Sequence, residues 1–303
     1  MAGASASEIR TIGVVGAGQM GAGIAQVCAV AGYDVRLQDI NATALEKAVA
    51  GIAARLDRQV AKGEMAAGAR QETLARIRTG TALESLEDSD LVIESAVEKE
   101  AIKREIFERL CPIVGKNTIF CTNTSSISVT MLAAHTDRPE RFMGMHFMNP
   151  VPVMKLVELI RAISTDDATC LTVEAVVDRL GKSPVMSADY PAFIVNRVLL
   201  PMINEAIYAL HEGVGDVAGI DKALRLGAAH PMGPLQLADF IGLDTCLAIM
   251  RVLYEGTSDS KYRPCPLLVK YVEAGWLGRK SQRGFYDYRV EPPAPNFRGL
   301  RPV

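Results

Sequence analysis

Cysteine is sparse in this chain and badly spaced for cross-linking. Six are scattered (Cys28, Cys111, Cys121, Cys170, Cys246, Cys265), and no two form a Cys-x-x-Cys pair. That argues against a zinc site or a disulfide frame and for reduced thiols in a cytosolic protein. Net charge is also nearly absent, with 33 basic against 35 acidic residues. A general nucleic-acid binder is not expected from such a balance. No stretch is long and apolar enough to span a membrane. Met1 to Glu8 is small and polar, without the apolar core of a secretion signal or the arginines of a transit peptide. A cytoplasmic location is therefore expected, with neither nucleic acid nor membrane as partner. The sequon Asn123-Thr124-Ser125 carries no weight without a secretion signal. Histidine is scarce too, at four residues, and one of the four sits in an unusual place.

What is present is apolar mass. At 303 residues and 49% hydrophobic, the chain can bury a sizeable core and suggests two domains or one large one. The first half alternates strand and helix signals. Thr11 to Val15 is a short β-rich run, followed by a glycine-rich turn and an alanine-rich helix from about Met20 to Val30 that Gly32 stops. Asp34 to Asp39 is a second strand, and Thr43 to about Leu83 reads as helices. Leu91-Val92-Ile93 and Ile119-Phe120-Cys121 are buried-strand candidates, separated by a helix near Lys99 to Leu110. The expected fold class is α/β, with an N-terminal Rossmann-like, doubly wound, mostly parallel sheet over residues 1–188. After Ser187 strand signals nearly vanish. Phe193 to Leu210 is an almost continuously apolar helix that needs burial on several sides. A C-terminal all-helical domain is expected over 189–290, with an irregular proline-bearing tail over 291–303. No internal repeat is visible.

Gly16-Ala17-Gly18-Gln19-Met20-Gly21 follows the first strand and opens the first helix. The first glycine permits a tight turn, the second lets backbone approach a pyrophosphate, and the third lets helix and strand pack closely. Asp39, at the end of the next strand and eighteen residues after Gly21, would accept hydrogen bonds from ribose hydroxyls. Its charge would repel a 2′-phosphate, which favours NAD over NADP. Gly16, Gly18, Gln19, Met20, Gly21 and Asp39 are the expected cofactor contacts.

Met145-His146-Phe147-Met148-Asn149-Pro150 ends a strand at an Asn-Pro stop, and Glu158 lies twelve positions after the histidine on the next extended segment. Strand, turn, strand would fold Glu158 back toward His146. A carboxylate beside an imidazole fixes its tautomer and favours its charged form, as a general base requires. Taken alone, a satisfied core histidine with a surface glutamate explains the same pattern; a dinucleotide signature ahead of it reverses the odds. Asn123-Thr124-Ser125-Ser126 directly follows the Thr118–Thr122 strand, where a doubly wound enzyme keeps its chemistry, though Ser126 also makes a good helix cap. Asn196 sits in the first turns of an apolar helix. Its amide either bonds backbone or points at a ligand, and spacing does not choose.

These segments, with Val151-Pro152-Val153-Met154-Lys155-Leu156-Val157-Glu158, Phe193-Ile194-Val195-Asn196-Arg197 and His230-Pro231-Met232-Gly233-Pro234, resemble the L-3-hydroxyacyl-CoA dehydrogenases over about Ile9 to Tyr288. The resemblance implies reversible oxidation of (S)-3-hydroxyacyl-CoA by NAD, without a metal. His146 would be the base and Glu158 its orienting partner. Ser125 and Asn196 would hydrogen-bond substrate oxygens, with Asn149 also toward substrate. Glu98, Lys103, Asn123 and Lys280 would contact NAD, as would Ser125, and Lys62 is a candidate for the CoA phosphates. A homodimer through the second domain is implied as well. Two segments depart from the family pattern: Tyr190-Pro191-Ala192 stands for the usual Thr-Pro-Gly, and Ser281-Gln282 for a usual Thr-Gly. The alternatives are a 3-hydroxy acid dehydrogenase of the L-gulonate type, acting without CoA, and a non-catalytic NAD-binding relative.

Overall fold

The structure is a computed structural model that describes residues 9–296. The polar start, Met1 to Glu8, and residues 297–303 of the proline-bearing tail lie outside that range. By contact density the chain divides between Phe193 and Ile194 into two compact units.

The first unit runs β1 (Thr11–Val15), α1 (Gln19–Val30), β2 (Asp34–Gln38), α2 (Ala42–Ala61), α3 (Ala67–Ala75), β3 (Ile77–Gly80), β4 (Leu91–Glu94), α4 (Glu100–Leu110), β5 (Ile119–Thr122), α5 (Val129–Ala134), β6 (Phe142–Phe147), β7 (Leu156–Arg161), α6 (Asp167–Arg179) and β8 (Ser183–Ala188). Its eight strands form one sheet in the order β3-β2-β1-β4-β5-β6-β7-β8. All neighbours are parallel except β6 and β7, which run antiparallel. Strand side chains alternate between faces. Leu91 and Ile93 join one apolar cluster with Ile24 of α1, Ile52 of α2 and Val173 of α6. Val92 joins a second with Phe107 of α4 and Leu132 of α5. Both faces are therefore covered, which is why these strands read as continuous apolar runs. The order reverses at β1, with β2 on one side and β4 on the other, and ligands bind beyond the carboxyl ends of such strands.

Two strands of this sheet were not expected. The Thr43–Leu83 segment, read as helical throughout, contains β3, and β8 lies in a segment with no strand signal. They are the two edges of the sheet. An edge strand is covered on fewer sides, so β3 and β8 are half-exposed and polar or proline-bearing.

The second unit holds α7 (Val195–His211), α8 (Val217–Gly227), α9 (Pro234–Ile241), α10 (Leu243–Thr257) and α11 (Pro266–Glu273), with two-residue strands β9 (Tyr286–Asp287) and β10 (Ala294–Pro295) pairing near its end. Leu200, Ile203, Ile207 and Leu210 form the buried stripe of α7, at helical spacing. Asn204 is buried among them without penalty: its carbonyl oxygen accepts from the Cys265 N–H at 2.8 Å and its amide donates to the Arg263 carbonyl at 3.0 Å. On the opposite side Val198 is 68% exposed, so α7 is not covered all round within this unit.

Candidate active site

The glycine turn between β1 and α1 shows why each glycine is there. Gly16 has φ +98°, and a Cβ on it would meet the Ser95 carbonyl oxygen at 2.5 Å. A Cβ on Gly21 would collide with the Gly16 carbonyl, whereas at Gly18 nothing lies within 4 Å. The crowded pair shapes the turn, and the open one leaves its backbone approachable. No side chain caps the N-terminus of α1, whose first N–H groups suit an anion. Asp39 braces this turn: one carboxylate oxygen accepts from Ala17 N–H at 2.7 Å, the other from Asn41 N–H at 2.9 Å. Each oxygen keeps a lone pair for another donor. Arg36, the nearby cation that could have welcomed a 2′-phosphate, is held by Asp88 in a two-pronged pair at 3.1 and 2.5 Å.

His146 and Glu158 are register partners on antiparallel β6 and β7. Residues directly opposite share a face of the sheet. The imidazole Nδ1 lies 2.8 Å from Glu158 Oε2, with Glu158 fully buried and His146 8% exposed. A carboxylate only accepts, so Nδ1 carries the hydrogen and Nε2 keeps the free lone pair. The Phe193 ring sits tilted against the imidazole, with centroids 5.7 Å apart. Phe193 and the preceding Ala192 both have positive φ, 54° and 63°, a strained conformation for non-glycine residues. The loop after His146 begins with a cis Asn149–Pro150 bond. The buried Lys182 ammonium pins it by donating to the Val151 and Met154 carbonyls at 2.6 and 2.7 Å. Gln19 of the glycine turn donates to the Asn149 side-chain oxygen at 3.0 Å, which joins the two loops.

Asn123 stitches the ends of three strands. Its side chain donates to Ser95 Oγ at 3.2 Å and accepts from Phe147 N–H at 2.9 Å, while its N–H donates to the Glu94 carbonyl at 2.7 Å. Ser125 follows on the same loop. Its N–H and hydroxyl both donate to Glu98 Oε1, at 2.8 and 3.2 Å. Burial alone would raise the Glu98 carboxyl, but the Lys103 ammonium, the Thr124 hydroxyl and the Ser125 N–H together hold it below its ordinary value. Lys103 itself is fully buried. In the second unit, Asn196 occupies the first turn of α7, half-buried, and Lys280 is paired with Asp244 at 2.5 Å. Lys62 ends α2, exposed.

Sequence reasoning missed five residues of the candidate site: Glu94, Phe193, Lys182 and the exposed pair Ile40 and Val97. Glu94 had a signal, an acid closing the apolar run Leu91-Val92-Ile93. Ile40 and Val97 are 89% and 57% exposed on the loops after β2 and β4, the strands either side of β1. Apolar residues so placed suit a flat ligand, but sequence does not reveal exposure.

Residues 11–190 match the 3-hydroxyacyl-CoA dehydrogenase NAD-binding domain, and 193–288 match the C-terminal domain of the same enzymes. The chain belongs to the 3-hydroxyacyl-CoA dehydrogenase family. It is 62% identical over 290 residues to a 3-hydroxybutyryl-CoA dehydrogenase of Bradyrhizobium diazoefficiens, covering 96% of this chain and 99% of that one. A probable 3-hydroxybutyryl-CoA dehydrogenase of Bacillus subtilis is 54% identical, over 93% of this chain and 98% of that one. Among solved structures, (S)-3-hydroxybutyryl-CoA dehydrogenase from Ralstonia eutropha superposes with a TM-score of 0.91 at 51% identity, covering 92% of this chain and 99% of that one. The first unit is thus an NAD-binding domain of this family, and the chain is an oxidoreductase acting on a CH–OH group.

Proposed function

We propose that this family member catalyses the reversible NAD-dependent oxidation of (S)-3-hydroxyacyl-CoA to 3-oxoacyl-CoA, with 3-hydroxybutyryl-CoA as substrate. The observation that carries the chemistry is the 2.8 Å contact between His146 Nδ1 and buried Glu158, at the carboxyl end of β6. Relatives of 62% and 54% identity named for 3-hydroxybutyryl-CoA support the short chain.

The residues fit the cofactor: an uncapped helix N-terminus, open space above Gly18, and an Asp39 carboxylate with lone pairs to spare. NAD, when bound, supplies the hydride acceptor. Ile40 and Val97 would flank the adenine, and Lys280 and Asn149 would approach the nicotinamide end and the substrate. His146 Nε2 takes the proton of the 3-hydroxyl, and Glu158 stabilises the imidazolium that results. In reduction the same imidazolium returns the proton. The Ser125 hydroxyl and the Asn196 amide hold the substrate oxygens, and Lys62 meets the CoA phosphates. Two copies would pair through the uncovered face of α7 and its N-cap, where Val198 and Ile194 are 68% and 41% exposed. Six unpaired cysteines suit the cytoplasm.

A positioned general base contributes about a hundred- to ten-thousand-fold. The His146→Gln variant should therefore fold and bind NADH, yet lose at least about a hundredfold in acetoacetyl-CoA reduction. Turnover near that of the parent would remove His146 from the mechanism. Activity on free 3-hydroxy acids in preference to the CoA thioester would remove CoA from the substrate.

A further inference from the structure

One face of β6 carries Phe142, Gly144 and His146 in alternation. Glu158 holds the imidazole through Nδ1. A hydrogen bond stays favourable out to about 30° from linear, whereas a reacting group has to be held within about 10–20°. The carboxylate therefore sets the tautomer and leaves the ring plane to be fixed by packing. Phe193 packs on that plane, with ring centroids 5.7 Å apart and the two planes inclined at 59°. It is 3% exposed and belongs to the apolar cluster of Val129, Leu132, Phe142 and Ile160. Both residues lie in the first unit of the chain.

The backbone that delivers this ring is strained. Ala192 and Phe193 are consecutive non-glycine residues at φ 63° and 54°, a region that crowds any residue with a Cβ. The turn is tied on both sides. Phe193 N–H donates to the Tyr190 carbonyl at 3.0 Å. Just ahead of it, the Asp189 carboxylate accepts from the Val129 and Thr130 N–H groups at 3.1 and 2.7 Å and from the Ser128 hydroxyl at 3.0 Å. Burial of a phenyl ring does not by itself call for this path, since apolar cores accept much repacking when volume is kept. Strain of this kind persists where the surroundings over-determine it, and it gathers at functional sites. Here the strained turn supplies an aromatic plate against the proposed base.

We propose that Phe193 is a positioning residue for the reaction: its ring, fixed by the strained turn, holds the imidazole plane so that Nε2 meets the 3-hydroxyl, a role that rests on the reading of His146 as the base. The test is a double-mutant cycle on the full chain with Phe193→Leu, His146→Gln and the two combined. Single turnovers of 3-hydroxybutyryl-CoA with NAD give the rate of chemistry, steady-state assays give KM, and fluorescence gives the NADH Kd. Phe193→Leu should lower the single-turnover rate about three- to tenfold, the range of an aromatic contact, with KM and Kd within about twofold. Added to His146→Gln, it should cost less than about twofold more, because the group it positions is gone. The proton NMR signal of Nδ1–H, identified by its loss in His146→Gln, should exchange with water faster in Phe193→Leu than in the parent. Should Phe193→Leu fail to fold, Phe193→Met, which keeps the volume and loses the plane, carries the cycle. An equal loss with and without His146 would overturn the proposal, as would an Nδ1–H signal that exchanges as in the parent. So would a raised KM or a shifted chain-length preference with the single-turnover rate intact, because the ring would then line the acyl site. Parental kinetics with only a lowered melting temperature would overturn it too, leaving the ring to hold the fold. Parental turnover in His146→Gln would instead remove the reading of His146 as the base.

Discussion

Replacing Glu158 by Gln tests how much of the base's power comes from the carboxylate charge. The amide has the same shape and remains opposite His146 in the β6–β7 register. Its oxygen can still accept from Nδ1–H, so the tautomer that leaves Nε2 free survives. What is lost is the negative charge 2.8 Å from the imidazole at a site where Glu158 is fully buried. Hydrogen bonds to a charged group contribute about 1.5–3 kcal/mol, against about 1 kcal/mol for neutral partners. The imidazolium exists only once the substrate proton has moved, so the loss falls on the transition state and not on binding. A difference of about 0.5–2 kcal/mol corresponds to a fall in kcat of about two- to thirtyfold for Gln. Glu158→Ala should fall further, because Nδ1–H then has no acceptor and the ring is free to turn. Stopped-flow single turnovers with NAD and 3-hydroxybutyryl-CoA, the direction in which the imidazolium forms, would separate chemistry from product release. An unchanged single-turnover rate in Glu158→Ala would refute the argument, as would a loss confined to NAD affinity.

Asp39→Ala should weaken NAD more than NADP, since the charge that repels a 2′-phosphate disappears while Arg36 stays engaged with Asp88; an unchanged NAD/NADP ratio of kcat/KM would count against the ribose assignment. Asp239 bears on stability: burial pushes its carboxyl up to about 6, above the ordinary 3.8, although the Phe285 and Tyr286 N–H groups and the Tyr288 hydroxyl oppose the shift and neighbouring Asp221 adds to it. A raised value means the native state holds the proton longer than the unfolded chain, so this group's contribution is complete below pH 4 and is lost as pH rises to about 6, by about 3 kcal/mol in all. Urea unfolding followed through Trp276, the one tryptophan, should show the parent losing that much relative to Asp239→Asn between pH 4 and 7, and parallel curves would refute it.

The glycine turn was legible because it is local: six consecutive residues set the turn, the helix start and the approach of a phosphate. The interior strands were legible because both faces are covered, which writes an unbroken apolar run. The edge strands β3 and β8 were not, because half or more of each is exposed, and the polar Arg78-Thr79-Gly80 blends into the helical segment before it. Glu94 and Lys103 stand nine positions apart, and composition places charges on surfaces. Only the packing of α4 onto β4 shows that these two are inside. The strained Ala192–Phe193 turn was half legible, since Ala in place of the usual Gly marked the position without showing that the backbone keeps a positive φ there.

Distance in sequence does not by itself decide whether His146 and Glu158 meet; register does. Antiparallel pairing sets His146 against Glu158 and Phe147 against Val157, so the sum of paired numbers is constant along the ladder. A slip of one residue would carry Glu158 to the opposite face of β7, among the side chains of the other layer. The loop between the strands therefore serves the proposed acid–base pair although none of its backbone takes a proton. Val153 and Met154 N–H both donate to the Pro150 carbonyl at 3.0 Å, and Lys182 ties the carbonyls of Val151 and Met154 to the start of β8. That closed turn fixes the loop's length and so the register, and through the register the acid–base pair.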